Sequence, residues 1–370
     1  MTDNIIDLLF KNEVVAYETA TTKVISHPDY HMIFDKTRGN MARWGRHHNE
    51  DAVYAPLGPE LLDLEIVVDG CNGAGHGPCT FCYKANTNQT PRYMTYNTFR
   101  TLLSKFPKVN NVYTLTQIAF GITGVQSNPD FIKIMRHARR NGIIPNFTMT
   151  GADLTDELVT EISKLCGAVA ISCYETDPEL CFNTIKRMTD AGMQQVNMHL
   201  LYHANNLPFV YRVLETIQTD SRLEKLNAVV LLAGKPKGRG KKLQQPTQED
   251  FTKLITYVFA NNIRVGFDSC SATRFTKALN SIDLSDTYRN KLLTLIEPCE
   301  SFGMFSSYVN VDGVYTPCSF GENEHGWETG IDLLRPGFDF MYDLWENPKT
   351  IAWRVKSIAN DRQCLFFDLT

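Results

Sequence analysis

The 370-residue chain has no uninterrupted apolar run near twenty residues, so no membrane-spanning helix is expected. It has no excess of basic charge either. A net charge of −4 gives no global positive field, and no nucleic-acid or membrane partner is expected. The first residues, Met1 to Asp7, carry no basic patch leading into an apolar stretch. No secretory leader is read there, and a cytoplasmic location is expected. Ten cysteines in a chain of this length without a leader point to reduced thiols and metal sites rather than a disulfide framework. No near-identical repeat is present. With 43% hydrophobic and 21% charged residues the composition is that of an ordinary globular protein. The length suits one large domain with an appendage.

After residue 60, short β-branched runs alternate with helical patterns. Strands are expected at Leu64–Val68, Tyr113–Gly121, Ile143–Thr148, Ala168–Cys173, Gln195–Tyr202, Asn227–Leu232 and Arg264–Asp268. Helices are expected between them, among them Thr155–Leu165, with a Thr cap and acidic residues in its first turn, and Pro178–Ala191, closed by Gly192. The later strands recur about every 30 residues, the mark of βα units and a parallel sheet. The expected fold class is α/β, a partial (β/α)6 TIM-like barrel, with a doubly wound sheet as the alternative closure. In either, loops at the C-terminal ends of the strands carry the chemistry. After about residue 280 the pattern changes to a β-hairpin around Asp312-Gly313 and a last helix at Asn347–Ala359. The domain reading is an N-terminal extension over 1–60, a cap or an extra pair of strands, then a barrel over 61–280 and a small α+β domain over 281–370.

Cys71, Cys79 and Cys82 fall within twelve residues on a glycine-rich loop directly after the first of these strands. Thiolates are soft ligands for zinc, copper(I) or iron–sulfur clusters. Three are one too few for a tetrahedral zinc site, although His76 inside the loop offers a fourth ligand. An iron–sulfur cube held by three thiolates would leave one iron open to a small molecule. A purely structural role fits poorly, since the loop offers little apolar cover.

The loop resembles that of the radical S-adenosylmethionine (radical SAM) superfamily. The commonest spacing there is Cys-x3-Cys-x2-Cys with an aromatic residue before the last cysteine, and here Phe81 precedes Cys82. The first gap is seven residues instead of three, and Gly73, Gly75 and Gly77 give it the freedom to fold back. The resemblance implies a [4Fe–4S] cluster on Cys71, Cys79 and Cys82, and S-adenosylmethionine chelating the fourth iron. It implies reductive cleavage to a 5′-deoxyadenosyl radical, and hydrogen abstraction from a substrate in a site that excludes water. It also implies a one-electron reductant such as flavodoxin or ferredoxin. Further cofactor-binding positions follow from it. Gly121, Thr123 and Gly124 end the second strand, where the family usually places a Gly-Gly-Glu-like motif, but the acidic residue is missing and Val125 and Gln126 follow. Ser172 ends the fourth strand at a position that often contacts the cofactor. Asn197 and His199, two apart on the fifth strand, face one side and could line the barrel. Lys235 and Arg239, on a basic Gly/Pro loop after the sixth strand, could meet an anionic group, or the loop could simply be solvated.

Cys299, thirteen residues, Gly313, four residues and Cys318 resemble the opening of SPASM and twitch auxiliary-cluster domains. The dense cysteine run of a full SPASM domain is absent, so the chain resembles the shorter twitch form. Cys270 and Cys364 would complete a fully ligated auxiliary [4Fe–4S] cluster. Alternatively Cys270 points into the barrel as a catalytic hydrogen-atom donor. Cys166, Cys173 and Cys181 read as buried structural thiols. Members of the superfamily with such domains mostly modify peptides or oxidise side chains and small alcohols. The first expectation is therefore a peptide substrate, leading to a crosslink, thioether, epimer or oxidised product. A small metabolite or nucleotide is the second, and a zinc-stabilised binding module the third.

Overall fold

The computed structural model describes residues 13–294 and 296–369. The stretch Met1 to Asp7 lies outside them.

Seven parallel strands run in sequential order through the main sheet: Leu61–Glu65, Gln117–Gly121, Ile144–Met149, Ala168–Ser172, Val196–Tyr202, Ala228–Ala233 and the short Val265–Phe267. Helices separate them and cover one face. The helix Phe131–Arg140 shows why: its buried residues Phe131, Ile134, Met135 and Ala138 recur every three to four positions, which makes one apolar stripe. The stripe packs on strand residues such as Ile118, Phe120 and Phe147 in a single core. Local signals set the helix starts. Thr155 caps Asp156–Leu165 by accepting from Leu158 N, and Asp177 caps Pro178–Asp190 by accepting from Leu180 N. The result is a partial barrel of six βα units with a short seventh strand, as the recurrence of strands led one to expect.

Two boundaries differ from the sequence reading. The stretch Leu64–Val68 is not one strand. The barrel strand is Leu61–Glu65, and Val67–Val68 leaves the sheet to pair antiparallel with Arg92–Tyr93. Likewise Tyr113–Gly121 splits, with Val112–Tyr113 in a small hairpin and Gln117–Gly121 in the barrel. Residues 15–44 form four antiparallel strands instead of one extra pair, in the order Val15–Glu18, Thr22–His27, Tyr30–Asp35 and Met41–Trp44. Buried Lys23 ties this sheet to the barrel by donating to the carbonyls of Tyr113 (3.1 Å) and Leu115 (2.6 Å). Arg43 does the same at the other edge, with Glu60 at 2.8 Å, Glu297 at 2.9 Å and Glu300 at 2.6 Å.

The C-terminal hairpin is continuous with the barrel. Its strand Ser306–Val309 pairs parallel with the first barrel strand, Ser306 opposite Leu61 and Tyr308 opposite Asp63. The return strand Val314–Thr316 is antiparallel, across a turn in which Gly313 takes φ +80° and Asn310 accepts from the amides of Asp312 and Val314. The sheet ends at Ile331–Asp332, and the helix Pro348–Ala359 follows.

Candidate metal centre and cofactor site

The loop that carries Cys71, Cys79 and Cys82 starts beyond the C-terminal end of the first barrel strand, at the mouth. All three thiols are free and partly accessible. They share one neighbourhood: burial pushes the Cys79 thiol up, and the nearby charges of Cys71 and Cys82 push it further. His76 Nε2 lies 3.6 Å from the Asp177 carboxylate. Among the described residues, no three His, Cys, Asp or Glu side chains converge on a point as ligands of one metal ion. A tetrahedral zinc takes four ligands, with each sulfur about 2.3 Å from the metal, whereas an iron–sulfur cube has a separate iron for each thiolate.

Two elements brace this loop. Arg239 from the loop after the sixth strand donates through Nε to the Cys79 carbonyl (2.8 Å) and through its backbone N–H to the Cys82 carbonyl (3.0 Å). Gly238 permits this approach: a Cβ there, at φ +58°, would stand 2.3 Å from the Tyr83 carbonyl. Arg239 Nη2 is buried beside the loop without a partner. Lys235, on the same loop, is engaged with Asp268 (2.5 Å) and the Ala233 carbonyl (2.7 Å). Lys84 is the second brace, reaching Glu65 (3.1 Å), Glu322 (2.5 Å) and the Tyr308 hydroxyl (2.8 Å).

Five of the expected cofactor positions, Phe81, Gly121, Thr123, Gly124 and Ser172, lie at this mouth. Tyr174 lies beside both Ser172 and Cys79, and its ring lies 5.5 Å from that of Phe81. Tyr174 itself escaped the sequence reading. Gly121 sits against Glu65, where a Cβ would come within 3.1 Å of the Glu65 Cα. Thr123 Oγ1 donates to the Asp69 carbonyl (2.7 Å). A carboxylate from another loop lies beside the Gly121–Gly124 turn. Asp153, after the third strand, accepts from the Gln126 amide (2.8 Å), and a Cβ on Gly124 would stand 2.8 Å from its Oδ2. Asn197 and His199 face the inner side. Asn197 accepts from Asn227 (2.9 Å), and His199 Nδ1 lies 3.3 Å from Thr148 Oγ1. Burial pushes His199 down to about 4, so its imidazole is neutral near pH 7.

Four of the other seven cysteines also lie near one another. Burial raises Cys270, and the charges of Cys299 and Cys364 add to it. Cys299 is pushed up to about 11 by burial, with Cys364 close by. Cys318 is raised by burial and by both Cys299 and Cys364. All four thiols are free. Cys270 and Cys364 line a cavity of about 340 Å³ together with the other residues of 362–369. The two cysteine groups are mechanically joined: Tyr83, next to Cys82, packs at 4.5 Å on Phe320, two residues past Cys318. Cys166, Cys173 and Cys181 are buried among the middle elements.

With this geometry in hand, the chain was compared with known proteins. No protein-family model matches it, and no curated protein sequence matches it. Solved structures do. Streptococcus suis SuiB bound to precursor peptide SuiA superposes with a TM-score of 0.65 at 12% identity, over 92% of this chain and 90% of that one. The fold is shared. Native anSMEcpe with bound AdoMet and Cp18Cys peptide matches at 0.56 and 15% identity, over 80% and 82% of the two chains. SuiB bound to S-adenosylmethionine matches at 0.57 and 13% identity, over 80% and 68%. At these identities the likeness is one of fold: a partial barrel continued by a C-terminal α+β region, over nearly the full length of both chains in the first case. Among the described residues no helix is long and apolar enough to cross a membrane.

Proposed function

We propose that this protein is a radical S-adenosylmethionine enzyme that modifies a peptide. The observation that carries the reading is the loop with Cys71, Cys79 and Cys82 at the barrel mouth, its histidine turned to Asp177 and its thiols grouped beside Ser172 and Tyr174. Cys71, Cys79 and Cys82 would hold a [4Fe–4S] cluster. With S-adenosylmethionine bound, and an electron from a donor of the flavodoxin or ferredoxin class, that group supplies a 5′-deoxyadenosyl radical for hydrogen abstraction.

The protein's own part is placement. Asp153 and the Gly121–Gly124 turn offer a carboxylate and close backbone to the cofactor's amino group. Arg239 Nη2, buried and unpartnered by the cluster loop, suits its carboxylate. Ser172, Phe81 and Tyr174 would flank it. Neutral His199 with Thr148, and Asn197, line the lumen below. Cys270, Cys299, Cys318 and Cys364 would hold a second, fully ligated [4Fe–4S] cluster. Their mutual proximity favours Cys270 as a ligand over Cys270 as a hydrogen donor. A peptide is preferred to a small metabolite because the solved structures that share the fold over most of this chain include complexes with peptides.

Anaerobic reconstitution tests this. About eight irons with matching sulfide are expected, and reduced protein should convert S-adenosylmethionine to 5′-deoxyadenosine. Stoichiometric zinc without sulfide would sink the reading.

A further inference from the structure

Asp63 lies in the middle of the first barrel strand. Its neighbours Leu62 and Leu64 are buried in the core beneath the helices, so Asp63 faces the lumen. Tyr308 flanks it on one side and Ala119 on the other, with Asn146 beyond Ala119. The polar side chains of the lumen satisfy one another. Asn146 donates to Gln117 (2.7 Å), Asn227 to Asn197 (2.9 Å), and Thr148 pairs with His199. Among the described residues, no hydrogen bond or ion pair reaches the Asp63 carboxylate. The nearby cations are already committed, Arg43 to Glu60, Glu297 and Glu300, and Lys84 to Glu65 and Glu322. The charge that acts on Asp63 is that of Glu300, of the same sign. The inner-facing neighbour on the next strand, Ala119, is short.

An unpaired carboxylate out of bulk water costs free energy, and a local departure of this kind is expected where a fold serves a ligand. Burial holds Asp63 up at about 7. A neutral hydrogen-bond donor would leave the charge uncompensated, whereas a cation would cancel it. We infer that Asp63 is the recognition group for a cationic part of the substrate, an ammonium or guanidinium that enters the lumen. The inference rests on the enzyme reading only in taking the lumen as the substrate's place.

The test uses reconstituted protein with S-adenosylmethionine. It is titrated with the Nα-acetyl methylamides of lysine, arginine and norleucine, and binding is followed by ligand-observed NMR. One of the cationic amides should bind about tenfold or more tightly than the norleucine amide, a difference of about 1.4 kcal/mol. Asp63→Asn should abolish that preference, and Asp63→Glu should keep part of it. Iron content and circular dichroism confirm that each variant is folded. Equal affinity for the three amides overturns the inference. So does failure of both cationic amides to bind, or a preference that survives in Asp63→Asn. Conversion of S-adenosylmethionine by the wild-type protein in the same samples tests the enzyme reading separately. Loss of conversion with the cation preference intact would sink that reading and leave this one standing.

Discussion

Lys84→Met removes the ammonium that joins the cluster loop to the C-terminal hairpin. Lys84, Glu65 and Glu322 have side chains only 11%, 8% and 22% exposed, so both carboxylates would be left facing each other with little solvent. Breaking a buried ion pair from one side costs about 3–5 kcal/mol, and the partial exposure of Glu322 puts this case near about 3. Unfolding entropy for a chain of 370 residues is about 0.8 kcal/mol/K near its midpoint, so the expected loss is about 4 °C in Tm. The deficit should depend on pH with a definite sign. Burial already raises the Glu65 carboxyl, and the Lys84 charge and hydrogen bond oppose that rise. Burial also works to raise Glu322, but hydrogen bonds from Asn310 and Lys84 hold it below its ordinary value. Without Lys84 both carboxyls rise in the folded state, which penalises their ionised forms. The deficit should therefore be full near pH 8 and shrink as the pH falls toward 5, where protonation relieves the repulsion. Thermal unfolding under anaerobic conditions across that range measures it. Glu322→Gln added to Lys84→Met should recover part of the loss. A Tm within 1 °C of wild type at pH 8, or a deficit that grows on acidification, would refute the reasoning.

Cys79→Ala should abolish 5′-deoxyadenosine formation, and normal cleavage in that variant would remove the cluster from this loop. Cys318→Ala should lower the iron content by about four per chain while some cleavage of S-adenosylmethionine persists. Asp153→Asn should weaken S-adenosylmethionine binding about tenfold, read by equilibrium dialysis, and an unchanged affinity would exclude Asp153 from the cofactor's amino group. Asp63→Asn should stabilise the fold in a pH-dependent way. The carboxyl faces Glu300, Tyr83 and Tyr308, and burial lifts it from 3.8 to about 7. Its ionised form is thus penalised on folding, and the gain in Tm should appear above pH 4 and level off above about 7. A variant that loses stability on going from pH 4 to pH 8, relative to wild type, would show that the carboxylate has a favourable partner.

Thiols at short separations on one loop are a local pattern, so the grouping of Cys71, Cys79 and Cys82 could be read from spacing alone. Parallel βα units recur at nearly constant length, so the barrel could be read from period. What escaped has a different physical origin. Lys84, Asp153 and Tyr174 act through partners that lie far away in sequence, such as Glu322, or through a neighbouring strand's loop, and no local pattern encodes such pairs. His76 shows the converse, since nearness in sequence to the cysteines suggested a ligand, and the fold sends its ring to Asp177. The first barrel strand is the most instructive difference. The β-branched stretch Leu64–Val68, with Glu65 inside it, looked like the strand. The register places Leu61–Glu65 in the sheet instead, with Asp63 and Glu65 on the inner face. In a closed core such residues would be costly, so a barrel strand that alternates Leu with Asp and Glu marks a lumen that receives charge. Glu65 meets that demand from within the chain through Lys84, and Asp63 does not. The same alternation that hid the strand from a search for hydrophobic runs is what distinguishes a substrate-bearing lumen from a filled one.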